Sequence, residues 1–432
     1  MKEQPMTRHR INRRQFLAAG TLAAMTASND ATRCRGAVAA NERLTLGFIG
    51  MGKRSRSLLR HMMASAEVQV LALAEVVRER REHGLVTVEK HYAQNAKSGT
   101  FRGCKAYNDF RELIGRPDVD AVVIGTPDHW HAIQAVQAAE TGKDIYCEKP
   151  LSLVIAQGRK MVDAARRNKI VFQTGSQQRS EYGGKFRLAV ELVRNGRIGE
   201  LQTIHVGVGG PPVPCDLPEQ PTPEGTDWEM WNGPAPARGY HEALCPQGVH
   251  NHFPAFRRYR EYAGGSLADM GAHHFDIAQW ALNMDQSGPV RVEPPADGAK
   301  TGLKFTYANG VAMYHGGPSG CTFEGTAGKI YVDRGVIKSD PEQIVAQPLG
   351  DGDERVYRSE SHFADWLACI RNRKRPICDV ETGHRSATLC HLANIGYQLG
   401  RPLDWDPAEE RFDDDEAANR LVDRELRPPW TL

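Results

Sequence analysis

The feature that most restricts this chain is an apolar run that leads directly into paired glycines. From Leu44 onward, short apolar runs alternate with stretches of helical periodicity, the pattern of β-α-β units and a parallel sheet. The first run ends in Gly50-Met51-Gly52-Lys53-Arg54-Ser55, a G-x-G-x-x-S turn between strand and helix. Gly50 permits the tight turn, and Gly52 lets the backbone approach a pyrophosphate whose charge the helix start would meet. Ser55 stands where a third glycine is usual, so the helix is expected to pack slightly farther from the sheet. Glu75 follows Gly50 by 25 positions, near the ~20 expected of an acid that holds a ribose. A carboxylate there repels a 2′-phosphate, which favours NAD over NADP. Arg78, Arg80 and Arg81 could offset that repulsion, but they read better as a solvated helix face.

The runs place strands at 44–50, 68–75, 121–125, 144–147 and 170–174, with helices near 55–63, 78–92, 131–140 and 153–168. A length of 432 residues, 40% hydrophobic and 25% charged, fits two globular domains. No apolar run is long enough for a membrane helix. The formal charge is +2, but seven basic residues and only Glu3 and Asp30 fall in residues 1–40. The remainder is close to neutral, without the basic footprint of a nucleic-acid binder.

That basic start has an order of its own. Arg13 and Arg14 precede Gln15-Phe16-Leu17, a modest apolar stretch from Ala18 to Ala27, and Ala37-Val38-Ala39. This is the layout of a twin-arginine signal peptide, which implies export to the periplasm or cell envelope after folding. Residues 1–40 are therefore assigned to the signal, 41–176 to a dinucleotide-binding domain and 177–432 to a substrate domain. Of nine cysteines, Cys34 falls in the signal and the others are scattered, so no disulfide scaffold or C-x-x-C site is indicated.

Further motifs follow in order: Thr126-Pro127-Asp128-His129-Trp130-His131, Glu148-Lys149-Pro150, Asn195-Gly196-Arg197-Ile198-Gly199, Trp228 to Pro234, and Gly264-Gly265-Ser266-Leu267-Ala268-Asp269-Met270-Gly271-Ala272-His273-His274-Phe275-Asp276. With them the chain resembles the Gfo/Idh/MocA oxidoreductases from Leu44 to Leu432. The resemblance implies an α/β protein: an N-terminal Rossmann domain with a parallel sheet, then an α/β domain with a large, open, mostly antiparallel sheet. It also implies NAD(P), a carbohydrate or cyclitol substrate, and a homo-oligomer formed through the second sheet. Gly50, Gly52, Ser55, Glu75, Thr126, Pro127, His129, His131, Glu148 and Lys149 are then the expected cofactor residues.

Lys149, at the carboxyl end of a parallel strand, faces the crevice where a nicotinamide would lie, with its backbone restricted by Pro150. Asp269 and His273 are four apart on an expected helix over 271–282 and so share a face. The resemblance implies that His273 takes the hydroxyl proton, that Asp269 orients the histidine or raises its basicity, and that Lys149 assists. Alternatively, Asp269 is a helix-start cap and His273 inert. His250, His252, His273 and His274 with Asp269 and Asp276 meet no metal-ligand spacing, so no metal is expected. Pro211 to Pro236 forms a proline-rich excursion whose Trp228 and Trp231, with Tyr240 beyond, either face a sugar or pin the loop.

The expected function is thus oxidation of a sugar or inositol hydroxyl with tightly held NAD. A redox-neutral, NAD-dependent glycoside-cleaving reaction is the alternative. The periplasm has no replenished coenzyme pool, so an enzyme there must recycle the cofactor it holds.

Overall fold

The computed structural model describes residues 42–94, 101 and 103–432, so the expected signal peptide and Cys34 lie outside the described residues. The first sheet contains β1 (Leu44–Ile49), β2 (Val68–Ala74), β3 (Lys105–Tyr107), β4 (Ala121–Ile124), β5 (Asp144–Cys147) and β6 (Phe172–Thr174). All pairs are parallel, in the order β3-β2-β1-β4-β5-β6. The order reverses between β1 and β4, which opens a crevice at their carboxyl ends, where doubly wound folds bind nucleotides.

Helices α1 (Lys53–Met63), α2 (Arg78–Ala93), α3 (Phe110–Ile114), α4 (Asp128–Glu140) and α5 (Ile155–Arg167) connect these strands. In α1 the buried Ser55, Leu58, Leu59, Met62 and Met63 recur at helical spacing, which turns one stripe onto the sheet. The sequence did not announce β3 or α3, whose three and five residues are too few to show a period.

The second domain continues with α6 (Lys185–Arg194), β7 (Leu201–Gly207), α7 (Trp228–Asn232) and α8 (Gly265–Ala281). Its eight-stranded sheet adds β8 (Arg291–Glu293), β9 (Lys304–Thr306), β10 (Ala312–Gly325), β11 (Gly328–Asp333), β12 (Val336–Asp340), β13 (Leu403–Asp406) and β14 (Arg411–Phe412). Every pairing in it is antiparallel, and β7 lies along β10. β10 runs through Gly316-Gly317-Pro318 with shifted register against β7. Helix α8 starts at Gly265, not at the expected Gly271.

Chain order and packing part company near the C-terminus. Helix α9 (His362–Asn372) buries Phe363, Trp366 and Leu367 in one cluster with Leu46, Phe48 and Tyr146 of the first sheet. Helix α10 (Val380–Leu399) places Val380 and Ala387 in the cluster of Ile145 and Phe172. The nucleotide-binding core is therefore completed by residues far beyond position 176.

Burial has also enclosed several neutral histidines. It pulls the acid constants of His129 and His391 down to about 3 and that of His362 to about 4. Folded-state constants below the ordinary value near 6.5 mean that below pH ~6.5 the unfolded chain binds protons the native state refuses. Stability is therefore complete above that pH and lost below it, at about 1.4 kcal/mol per pH unit for each histidine. Thermal unfolding followed by circular dichroism should show the midpoint dropping continuously from pH 6.5 to 4.5. A midpoint constant over that range would contradict it.

Candidate active site

The nucleotide side of the site is built at the β1–α1 turn. Gly50 has φ +87°, and a Cβ there would stand 3.1 Å from Gly125 O and Thr126 Cγ2. Gly52 caps α1 without a side-chain hydrogen bond, no acid occupies the first turn, and a Cβ on Gly52 would meet nothing within 4 Å. An open helix start approached by bare backbone fits a pyrophosphate. Ser55 does not push α1 away from the sheet as expected. It packs on Gly125, where an added Cβ would lie 3.0 Å from Ser55 Cβ, so the missing side chain is on the strand side. Glu75 is buried, accepting from the Met51 N–H at 2.6 Å and the Val77 N–H at 2.9 Å. These bonds tie the carboxylate at the end of β2 to the glycine turn, along one cleft of about 820 Å³.

That cleft is covered by the excursion between β7 and α8. His250, Phe253, Phe256 and Arg257 line it opposite Gly50, Gly52, Glu75, Thr126 and Pro127. Two buried arginines hold the cover down. Arg80 donates to Pro246 O and, at 2.9 Å, to Gly248 O. Arg56 donates to Met51 O at 2.9 Å, to His250 O, and to Asn251 Oδ1 at 3.2 Å. The expectation of a solvated α2 face thus holds for Arg78, half exposed beside Glu224, and fails for Arg80. Arg81 turns inward to Glu75 O at 2.6 Å. Trp228 and Trp231 stack at 4.8 Å, and Tyr240 is buried with them in one cluster. They pin the excursion.

Other expected cofactor residues have structural partners. His129 Nε2 lies 3.1 Å from Trp231 O, and His131 places its ring nitrogens 2.8 Å from Pro150 O and 3.0 Å from Thr126 O. Both rings are buried and neither lines the cleft; His131 holds the Thr126 and Pro150 loops, and His129 holds Trp231. Glu148 accepts from Arg54 Nε at 2.8 Å and from Gln177 Nε2 at 3.0 Å, so it orients Arg54 from below. Trp130 and Gln134, which the motif reading passed over, line the cleft, and Gln134 accepts from Thr126 Oγ1 at 2.7 Å.

Lys149 and Asp269 join the two domains. The ammonium donates to Asp269 Oδ1 at 2.6 Å and to Asp269 O at 2.7 Å. Burial works to raise the Asp269 acid constant, but the charges of Lys149 and Arg257 prevail and leave it below the ordinary carboxylate value. Asp269 lies within α8, whose cap is Gly264, so it is not a helix-start cap. It also does not touch His273: no hydrogen bond joins them among the described residues, because the carboxylate turns to the full charge of Lys149 in preference to a neutral ring. His273 is buried with Nδ1 lacking any partner. Burial first, then the Lys149 and Arg334 cations, holds its acid constant well below that of free imidazole. The site therefore joins an ammonium with one N–H left over to an imidazole that stays unprotonated. Among the described residues, no three His, Cys, Asp or Glu are grouped to hold a metal ion.

A doubly wound nucleotide-binding domain with a second, antiparallel-sheet domain closing over its crevice defines the class: a dinucleotide-dependent oxidoreductase. Residues 44–176 match the NAD-binding Rossmann fold of the Gfo/Idh/MocA oxidoreductase family and residues 214–432 match its C-terminal alpha/beta domain. The chain belongs to that family. It is 26% identical over 298 residues to 1,5-anhydro-D-fructose reductase of Ensifer adhaerens, covering 65% of this chain and 78% of that protein. It is 32% identical over 217 residues to glycosyl hydrolase family 109 protein 1 of Shewanella sp. (strain MR-4), covering 45% of each. In fold it resembles levoglucosan dehydrogenase in complex with NADH (TM-score 0.56, 19% identity, 84% of this chain and 99% of that one). It also resembles aldose-aldose oxidoreductase of Caulobacter crescentus (TM-score 0.56, 18% identity, 84% and 99%).

The Ser55–Gly125 contact allows a direct test of the pyrophosphate cradle. Gly125→Ala overpacks that contact and tilts the α1 start, and should weaken NAD binding about tenfold or more, measured by calorimetry on protein stripped of nucleotide. Adding Ser55→Gly removes the clash and should restore most of the affinity. A Gly125→Ala protein that binds NAD like the parent would show that the approach of α1 does not set the cradle.

Proposed function

We propose that this protein oxidises a hydroxyl of a sugar, inositol or related compound, and that it keeps its NAD bound through the cycle. The observation that carries this reading is the ammonium of Lys149, fixed by Asp269 with one donor free, beside an unprotonated His273. NAD held in the cleft would supply the hydride acceptor. Lys149 directs its remaining N–H to the reacting hydroxyl oxygen, and the unprotonated ring of His273 takes the hydroxyl proton as negative charge develops. Asp269 acts as a positioning residue for the lysine. The sugar class rests on the reductase and dehydrogenase relatives.

Lys149→Met should slow reduction of the cofactor by about a hundredfold or more while leaving NAD in place, and His273→Ala by about 10²–10⁴-fold. Stopped-flow absorbance of the reduced nicotinamide reads both. Because His273 resists protonation, the wild-type rate should stay level as the pH falls through 6.5 and decline only below the usual imidazole range. Near wild-type reduction by either variant would remove that residue from the mechanism.

The covered cleft and its buried arginine clamps support retention of NAD, so protein denatured after purification should release close to one NAD per chain. Turnover should then continue without added coenzyme when a second carbonyl substrate restores the oxidised state. The hydrolase relative favours a second reading, in which an aryl glycoside is cleaved with no net change in the cofactor. Release of the aryl alcohol with unchanged nicotinamide absorbance would select it. Protein that purifies empty and needs free NAD stoichiometrically would refute retention.

Export by the twin-arginine route belongs to the same proposal, as does self-association through the open face of the second sheet, which light scattering reads. Arg13→Lys with Arg14→Lys should leave folded precursor in the cytoplasm, because the receptor reads the arginines and not charge alone. Unchanged export on cell fractionation would show another route.

A further inference from the structure

A second, open cleft has Asp269 on its wall together with Arg257, Arg258, His241, Glu242 and His252. It adjoins the Lys149–Asp269 pair, because Asp269 stands on its wall. With Lys149 counted, three cations (Lys149, Arg257 and Arg258) meet two carboxylates (Asp269 and Glu242). Lys149 and Asp269 neutralise each other at 2.6 Å. Arg257 approaches the same Asp269 oxygen only at 3.8 Å, beyond a hydrogen bond. Its Nη1 is buried with no partner, while its guanidinium is held against the rings of Phe253 at 4.8 Å and Phe256 at 4.6 Å. Arg258 makes no ion pair among the described residues, and neither does Glu242. A packed guanidinium with an unsatisfied N–H is costly unless a ligand completes it. A surplus of positive charge on and beside the walls of a cleft attracts an anion.

We infer that the substrate of this site carries an oxyanion, a carboxylate or a phosphate, and that Arg257 and Arg258 receive it. The inference rests on the sugar-oxidising reading proposed above and adds the substrate's charge. Arg257 also lines the nucleotide cleft, so the cofactor diphosphate is the competing partner. Arg258 decides between them, because it lines the second cleft and not the first. A planar guanidinium fits a carboxylate or phosphate with two parallel hydrogen bonds, and a neutral sugar offers no such pair.

The test uses the full-length protein with its cofactor as purified. D-Glucuronate and D-galacturonate are compared with D-glucose and D-galactose, and glucose 6-phosphate with glucose, by the initial rate of cofactor reduction. The acidic member should be preferred by about ten- to a hundredfold in kcat/KM, and the preference should shrink as salt is raised. Preference for the uronates alone assigns a carboxylate, and preference for the sugar phosphate alone assigns a phosphate. Arg258→Met and Arg257→Met should each bring the acid-to-neutral ratio toward one, and Arg257→Lys should recover part of it. Equal rates for acidic and neutral sugars in the wild type overturn the inference and leave the dehydrogenase reading standing. An Arg257→Met protein that loses NAD but keeps the acid-to-neutral ratio assigns the arginine to the cofactor and also overturns it. If no sugar of either kind reduces the cofactor, the dehydrogenase reading fails. Calorimetric titration with methyl glucuronide against methyl glucoside then decides the anion preference alone, with equal affinities counting against it.

Discussion

The ion pair between Lys149 and Asp269 is the interaction on which the site depends. An ammonium carries three N–H groups and swings on a flexible stem. Here two of the three are fixed on one residue, by Oδ1 at 2.6 Å and by the main-chain oxygen at 2.7 Å. The lysine comes from the end of β5 and the aspartate from inside α8, so the same pair registers the nucleotide domain against the substrate domain. With two donors fixed on Asp269, the third N–H has a defined direction. Glu148 and Arg54 extend this order one step further along the crevice.

The cover over the nucleotide cleft obeys a different logic. Its attachment uses guanidinium donors and main-chain acceptors: Arg80 on Pro246 and Gly248, Arg56 on His250. Carbonyl oxygens of an irregular segment must find donors when buried, and arginine can satisfy several from a fixed plane. The consequence is a segment without regular structure that is nevertheless held at several points. Phe253, with Lys53 Nζ 4.4 Å from its ring centre, joins the cover to the helix start below it. Exit of a nucleotide from beneath this cover would require several of these contacts to open together, which is the physical ground for the proposed retention.

The doubly wound sheet, the glycine turn, Glu75 and the single residues Lys149, Asp269 and His273 were legible because each belongs to a short, ordered pattern. Continuous apolar runs reveal β1 and β4, a period of 3.6 reveals α1, and a G-x-G turn needs only three residues. The partners were less legible. Asp269 and His273 are one helical turn apart, and spacing alone suggests that they interact; a lysine 120 positions away takes the carboxylate instead. Arg80 looks solvated beside Arg78 and Arg81 because the segment that buries it lies more than 160 positions further on. His129 and His131 sit in a motif with cleft-lining Thr126 and Pro127, but α4 turns both rings away from the cleft. Sequence pattern records which face of a helix is apolar, and it does not record what a long irregular segment will place against the polar face.

The charges around His273 show why Asp269 belongs with the lysine. Developing negative charge on a substrate oxygen is stabilised by nearby cations, and Lys149, Arg54 and Arg334 supply them. The same cations weaken the histidine as a base, since each opposes its protonation. Were Asp269 bonded to His273, Lys149 would face the ring uncompensated and lose its fixed direction. With Asp269 on Lys149, the ammonium keeps its position and its donor while part of its field at the ring is cancelled. The histidine remains unprotonated at neutral pH, and in the proposed reaction the ring it would form by taking a proton would be more acidic than free imidazolium. Under that proposal the ring would pass its proton on readily, leaving the base free for the next substrate.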